Sequence, residues 1–352
     1  MTQENREAYF ELSRLPKFEY YAKPRTSCSL VTNVCELLRC KETDAALCLC
    51  GREEKYRRGE VSDFEYFKEL LLSLPTLKGT HVFDLLHITL LELCGEELAS
   101  RKSFSEEDIC LLWAAANEKI FELCGGDHNE LLKKYNVEKL YRCSVDDENK
   151  ECDEKCHTSD KCEALVFDFK GLDFIRPDPY HYKLATEKKN RGEKLNNDEK
   201  SIILAQEIYL LLSDKSRGKI QLHLRCDENT DTAKDIINYL KDRKFSLDIF
   251  LAFSGEGSVE KLISLCLMSD ENIRIYPEIV ITKTDSFENL KRRLRLLFGA
   301  YPAENIRFGG AVTDSPTFFF EHILFVRALY SVLFEIENDE QKAYEKVRKI
   351  LR

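Results

Sequence analysis

The feature that most constrains the fold is a change in hydrophobic period near Val137. Before this point apolar residues recur at helical spacing, as in the segment that Ser62 and Glu65 open with a capping box and that Pro75 is expected to end. After it, short β-rich runs alternate with helical segments. Strands are predicted over 137–145, 164–169, 171–175, 219–224, 247–253 and 273–282. The alternation predicts an α/β fold with a parallel sheet, and we expect a (β/α)8-type barrel, incomplete or distorted, rather than an open sheet.

The domain organisation follows from the same pattern. We expect residues 1–352 to form a single barrel-like domain, in which the aromatic run at 18–23 is the first strand. Residues 30–135 show helical periodicity alone, which predicts a helical insertion subdomain after that strand. Residues 183–200 have almost no apolar side chains and predict a charged mobile linker.

Charge and composition exclude several classes of protein. Lys and Arg number 53 against 63 Asp and Glu, and the net charge of −10 disfavours binding to nucleic acid or to an anionic membrane surface. The sequence has no uncharged apolar stretch of about 18 residues, and residues 1–10 are too charged for a signal peptide. The 14 cysteines are spaced irregularly, which predicts reduced thiols in a cytoplasmic protein. The oligomeric state stays open.

The densest group of metal-ligand residue types is Cys152, Cys156, His157 and Cys162, with Cys143 upstream. Four such ligands are enough for a structural zinc site. Their spacing is not that of paired CxxC motifs, however, and Asp, Glu and Lys residues crowd the segment. A solvated loop of reduced thiols is therefore the preferred interpretation, with zinc as the alternative.

A row of polar side chains marks the strand at 219–224. Strict alternation places Gln221, His223 and Arg225 on one face of this strand. Since the carboxyl ends of barrel strands line the active-site mouth, these residues are candidates for a functional site. The alternative is a hydrogen-bonded core histidine with two exposed neighbours.

Two further segments carry candidate residues. Arg176 follows the predicted strand 171–175, where its guanidinium is suited to hold a carboxylate; the alternative is a surface ion pair with Asp178. Asp314 follows the apolar run 309–312, where a general base or a metal ligand is expected; the alternative is a cap of the next helix.

Taken in chain order, these segments resemble the uronate isomerase family of the metal-dependent amidohydrolase superfamily. The resemblance is carried by 17–23, 62–67, 86–90, 143–147, 175–178, 221–223 and 312–315, followed by His322. The segments that contain His223 and Asp314 are its most specific parts. It implies a (β/α)8 barrel, the isomerisation of glucuronate or galacturonate to keto acids, and a divalent metal near the reacting end. It also implies that Asp314 and His223 occupy metal-site or proton-transfer positions and that Arg176 faces the sugar acid.

The sequence departs from that family at its metal site. The His-x-His pair expected at the end of the first strand is Tyr21-Ala22-Lys23 here, and Pro316 stands where an arginine is expected. A His-Tyr pair of the helical region appears as Glu53-Glu54, and the chain is shorter than a typical member. We therefore expect no cofactor and no bound metal; only His223 and Asp314 would remain as zinc ligands if a metal did bind.

Three functional hypotheses follow. The first is a uronate isomerase-like protein with a degraded metal site, in which Asp314 and His223 are catalytic. Arg176, Arg225 and Lys23 would bind the small-molecule sugar acid, although Lys23 also suits a side chain that extends to the barrel rim. The second is a non-catalytic barrel that binds a sugar acid or a protein; an isomerase or lyase with an altered substrate is a third reading. On the first hypothesis Arg176, His223 and Asp314 lie at the same end of the sheet.

Overall fold

The structure is a computed structural model, and it describes the residues of fourteen ranges. These are 19–22, 33–39, 41–52, 55–56, 59–95, 103–124, 139–142, 162–169, 171–214, 219–226, 231–253, 259–279, 286–308 and 318–351. Within them no helix is long and apolar enough to cross a membrane.

The strands are parallel and follow one another in sequence order. They are β1 (Glu19–Ala22), β2 (Lys139–Arg142), β3 (Cys162–Asp168), β4 (Lys219–Cys226), β5 (Leu247–Phe253), β6 (Ile273–Ile279) and β7 (Arg307–Phe308). β1 pairs with β2, β3 to β7 form one five-stranded sheet, and β2 lies beside β3. The predicted α/β fold is confirmed. A strand closing a barrel after β7 would fall in 309–317, outside the described residues, so a complete barrel stays a prediction.

Helices make up the described part of the insertion. They are α1 (Val34–Leu38), α2 (Lys41–Leu49), α3 (Asp63–Leu77), α4 (His81–Cys94) and α5 (Glu106–Cys124). The Ser62 side chain caps α3 by accepting a hydrogen bond from the Glu65 backbone N–H at 3.2 Å, as the capping-box pattern predicted. Pro75 does not end α3, because it lies in the last turn and the helix continues to Leu77.

The remaining helices follow the strands. They are α6 (Pro179–Asn190), α7 (Asn197–Ser213), α8 (Asp231–Asp242), α9 (Val259–Cys266), α10 (Phe287–Ala300), α11 (Phe318–Glu337) and α12 (Glu340–Leu351). The insertion packs onto them through α4, which contacts α11. In addition, the Asp84 carboxylate of α4 accepts a hydrogen bond from the Phe287 backbone N–H, at the start of α10, at 2.7 Å.

The prediction of a linker at 183–200 is wrong. This segment holds most of α6, a turn, and the first residues of α7. Asp178 caps α6 by accepting from two backbone N–H groups, and Lys188 bonds Glu199 at 2.9 Å across the turn. A helix with so few apolar residues forms here because caps and ion pairs supply the interactions that a buried face would otherwise provide.

The sheet has two chemically different faces. One face, which includes Leu222, Leu224, Ile249, Leu251 and Ile275, belongs to the same buried hydrophobic cluster as the helices. The opposite face carries most of the polar side chains of β4, β5 and β6. The candidate site lies on that second face.

Candidate functional site

Three rows of side chains cross the second face of the sheet, which we call the polar face. From the amino to the carboxyl ends of β4, β5 and β6, the first two rows are Gln221, Asp248 and Arg274, then His223, Phe250 and Tyr276. The third row is Arg225 with its partner Ala252, and Glu278 comes next on β6, directly after Pro277, the last residue paired with β5. The alternation predicted for Gln221, His223 and Arg225 thus places them on one face. This face combines ionisable groups with aromatic rings, which suits a polar site more than a packing surface.

His223 and Glu278 form the centre of the polar face. The His223 Nδ1 and Glu278 Oε1 atoms are 3.0 Å apart, and each side chain is 1% exposed. A carboxylate at this distance holds an imidazole in a single orientation. The pair therefore has the arrangement of a general base and the acid residue that orients it.

An aromatic stack supports His223 from the neighbouring strands. The His223 ring lies on the Phe250 ring with 4.7 Å between centroids and 15° between planes. Phe250 in turn stacks on Tyr276 at 5.3 Å and 21°. The three rings come from three adjacent strands at the same register, so the sheet itself positions them.

Arg225 supplies a fixed positive charge on the same strand. It lies two residues beyond His223 and is buried, with 6% of its surface exposed. Its register partners are Asp168 on β3 and Ala252 on β5. A guanidinium held near a buried base can stabilise negative charge that develops on a substrate oxygen.

Arg176 lies at the other end of the sheet. Leu172 accepts a hydrogen bond from Thr232 at the start of α8, whereas the Arg176 guanidinium contacts Asp242 at the end of α8, at 3.4 Å. Because α8 starts beyond the carboxyl end of β4 and ends just before β5, Arg176 is at the amino ends of the strands. It is exposed, and its partner is Asp242 instead of Asp178.

The prediction that Arg176 ends a strand beside His223 is therefore wrong. After β3 the chain turns at Gly171, whose φ is 71°, and residues 172–178 form no strand. They run back along α8, where the Phe174 and Tyr239 rings are 5.5 Å apart. The apolar run that suggested a strand is only partly buried, and its Phe174 ring packs against a helix instead.

Several predicted residues lie outside the described part of the chain. Lys23 comes directly after the last residue of β1, and Asp314 comes six residues after β7, but neither is described. Their convergence with His223 stays a prediction. The cysteine-rich segment from Cys143 is also outside, apart from Cys162 at the start of β3.

The described residues do not supply a metal site. Among them, no three His, Cys, Asp or Glu side chains are grouped so that they could hold an ion. The His223–Glu278 pair offers two donors, whereas a catalytic zinc takes three protein ligands. The described donor set therefore does not fit a metal, and no chemical step is assigned to one.

Glu278 is the residue that sequence reasoning missed. The run 273–282 was assigned to a strand, but its only carboxylate was not singled out. The signal was present, since Glu278 stands between Pro277 and Ile279 in an apolar run, where a charged side chain requires a partner. What the sequence did not show is that the partner is His223.

Comparison with solved structures supports the fold. Uronate isomerase from Thermotoga maritima matches this chain with a TM-score of 0.69 and 16% sequence identity, over 99% of this chain and 96% of that chain. The fold is similar to that of uronate isomerase. No protein-family model matches the sequence, and no curated protein matches it. At this identity the likeness extends to the fold alone.

Proposed function

We propose that this protein is a uronate isomerase-like protein, which converts a hexuronate such as glucuronate or galacturonate between its aldose and ketose forms. The observation that supports this most is the His223–Glu278 pair, with Arg225 two residues away, on the polar face of a sheet whose fold is similar to uronate isomerase. Neither part suffices alone. The fold suggests the reaction class, and the pair offers the base that the reaction requires.

Aldose–ketose isomerisation moves a proton between adjacent carbons through an enediolate. It needs a base that takes and returns the proton, and a positive charge near the oxygen that becomes negative. In this proposal His223 is the base, Asp314 is its partner in proton transfer, and Arg225 and Lys23 are the positive charges. Arg176 has no role in this proposal, because it lies at the amino ends of the strands.

The proposed site uses no metal. Tyr21 and Lys23 stand where the resembled family has two metal-binding histidines, and a lysine ammonium at that place would supply positive charge without a metal ion. A lysine presents three hydrogen-bond donors and a compact charge, which suits a sugar acid carboxylate or a developing oxyanion.

The test is an isomerase assay with glucuronate and galacturonate on untagged protein. His223→Asn is expected to lower kcat about 100-fold or more, since it removes the base. Arg225→Met is expected to lower kcat/KM to a similar degree. Arg292→Met is the matched control because Arg292 is an exposed arginine on α10, and it should leave both constants unchanged. Wild-type turnover that His223→Asn does not reduce would contradict the proposal.

The second candidate is a non-catalytic protein that binds a sugar acid or a protein partner. The observation in its favour is the burial of the pair, since both side chains are 1% exposed and a substrate needs access to His223. Thermal-shift measurements with hexuronates separate the two. A stabilisation by glucuronate that disappears in Arg225→Met, without any turnover by the wild-type protein, would favour the binding protein.

A further inference from the structure

Glu278 and His223 meet across an intervening strand. His223 is on β4 and Glu278 is on β6, and β5 lies between them. Neighbouring strands are about 4.8 Å apart, so the two backbones are separated by roughly 10 Å. The contact at 3.0 Å therefore requires both side chains to extend over β5. Whatever side chain β5 places beneath this contact decides whether it can form.

That side chain is the methyl group of Ala252. Ala252 is the register partner of Arg225, and Glu278 follows Pro277, the residue that pairs with Leu251. Ala252 is 1% exposed, as expected for a residue beneath another side chain. The residue two positions earlier on β5 is Phe250, whose ring fills the space between His223 and Tyr276. Because β5 changes from the large Phe250 to the small Ala252, the Glu278 side chain has space to extend over β5.

The orientation of His223 has two independent determinants. The Phe250 ring stacks on the imidazole at 15° and so fixes the plane of the ring. Stacking does not decide which ring nitrogen faces β6, because a half-turn of the ring keeps the same plane. The Glu278 carboxylate decides this, since it contacts Nδ1.

We infer that Glu278 is a positioning residue that fixes His223 in the tautomer with its proton on Nδ1. An ionised carboxylate can only accept a hydrogen bond, so the contact requires an Nδ1–H donor. Nε2 then keeps its lone pair and is the nitrogen that accepts the substrate proton. The tautomer follows from this contact when Glu278 is ionised, whereas the role of Nε2 as the base rests on the proposed function.

The tautomer can be measured without any catalytic activity. The 15N chemical shifts of the His223 ring, assigned by comparison with His223→Asn, should show the proton on Nδ1 in neutral wild-type protein. Glu278→Leu removes the acceptor and should shift the population towards Nε2–H. Ala252→Val keeps the carboxylate but obstructs its path, and it should have the same effect, whereas Ala252→Gly should resemble wild type. Asp248→Asn is a control, because Asp248 is a buried acid on the polar face that bonds Arg274.

Kinetics then test the role of the tautomer. In an active isomerase, Glu278→Leu and Ala252→Val should lower kcat at least tenfold while KM changes little, and Ala252→Gly should retain kcat. A wild-type His223 with its proton on Nε2, or Glu278→Leu with unchanged ring shifts, overturns the inference. A changed tautomer with unchanged kcat overturns the positioning role. If wild-type protein shows no isomerase activity, the proposed function fails, and the ring shifts still decide whether Glu278 sets the tautomer.

Discussion

At the scale of single residues, two glutamates differ in their surroundings and therefore in the role of their carboxyl groups. Glu278 is buried against the imidazole of His223, 3.0 Å away. Glu207 on α7 is partly buried, and burial raises the pKa of its carboxyl to about 7, although the charge of Lys189 opposes the shift. The first carboxylate belongs to the candidate site, and the second makes folding stability depend on pH.

Glu207 is expected to destabilise the protein as the pH rises. Its pKa is higher in the folded state than in the unfolded state, so its protonated form stabilises the fold below about pH 4.5, and this contribution is lost as the pH rises through about 7. Glu207→Gln should therefore raise the free energy of unfolding by about 2 kcal/mol at pH 8.5 and by much less at pH 4.5. Urea denaturation at both pH values measures this. Glu260→Gln on the exposed face of α9 is the control, and an equal gain at both pH values would contradict the prediction.

The metal content is the second residue-scale prediction. On the proposed function, Tyr21 and Lys23 stand where two metal-binding histidines are expected, so protein purified without a metal-affinity tag should contain well under one divalent metal per chain by elemental analysis. The double variant Tyr21→His, Lys23→His should recover some zinc affinity. About one zinc per wild-type chain, lost in Asp314→Ala, would show that this prediction is wrong and would favour a metal-dependent isomerase.

At the scale of elements, hydrogen-bonded caps define where helices start. Ser62, Thr80, Asp178, Asn196 and Ser286 each accept a hydrogen bond from a backbone N–H of the following helix. The cap at Asn196 is a full capping box, since the Glu199 carboxylate also accepts from the Asn196 backbone N–H at 2.8 Å. These caps explain why the highly charged segment 183–200 contains parts of two helices.

Removing the cap of α7 should destabilise the protein modestly. Asn196→Ala leaves the Glu199 backbone N–H without its acceptor, and we expect a loss of about 1 kcal/mol in the free energy of unfolding. Asn196→Asp keeps a side-chain oxygen at the same place and should lie within a few tenths of a kcal/mol of wild type. Chemical denaturation compares the two, and equal losses would argue against the capping role.

At the scale of the whole molecule, the contact between Asp84 and the start of α10 joins the helical insertion to the sheet-bearing part of the chain. The two residues are 203 positions apart in sequence. Burial raises the pKa of the Asp84 carboxyl, although the Phe287 backbone N–H and the nearby His81 and His87 act in the opposite direction. Since α10 follows β6, this contact lies on the side of the sheet where the strands end.

Asp84 is expected to contribute to stability as a hydrogen-bond acceptor more than as a charge. Asp84→Ala should lower the free energy of unfolding by about 1–2 kcal/mol, because the Phe287 N–H loses its partner in a partly buried place. Asp84→Asn keeps an acceptor oxygen and removes the charge that burial disfavours, so its loss should be smaller. Thermal or urea unfolding distinguishes them. A larger loss in Asp84→Asn than in Asp84→Ala would be the contrary result.

Local sequence patterns were sufficient to predict the features that depend on local hydrogen bonding and on side-chain alternation. The change of period near Val137 predicted the α/β alternation, the capping-box pattern predicted the start of α3, and alternation along β4 placed Gln221, His223 and Arg225 on one face. Each of these depends on residues only a few positions apart. The prediction of a linker at 183–200 was wrong because a low apolar content does not prevent a helix that caps and ion pairs stabilise.

Only the tertiary structure decided which distant residues meet. The chain after β3 turns back along α8 and carries Arg176 to the amino ends of the strands. No local sequence pattern distinguishes this returning segment from a strand. Glu278 reaches His223, 55 positions away in sequence, because β4, β5 and β6 are neighbours and because Ala252 leaves space between them. The physical reason is that alternation along a strand decides on which face of the sheet a side chain lies. The partners of that side chain depend instead on the order of the strands and on the size of the residues between them.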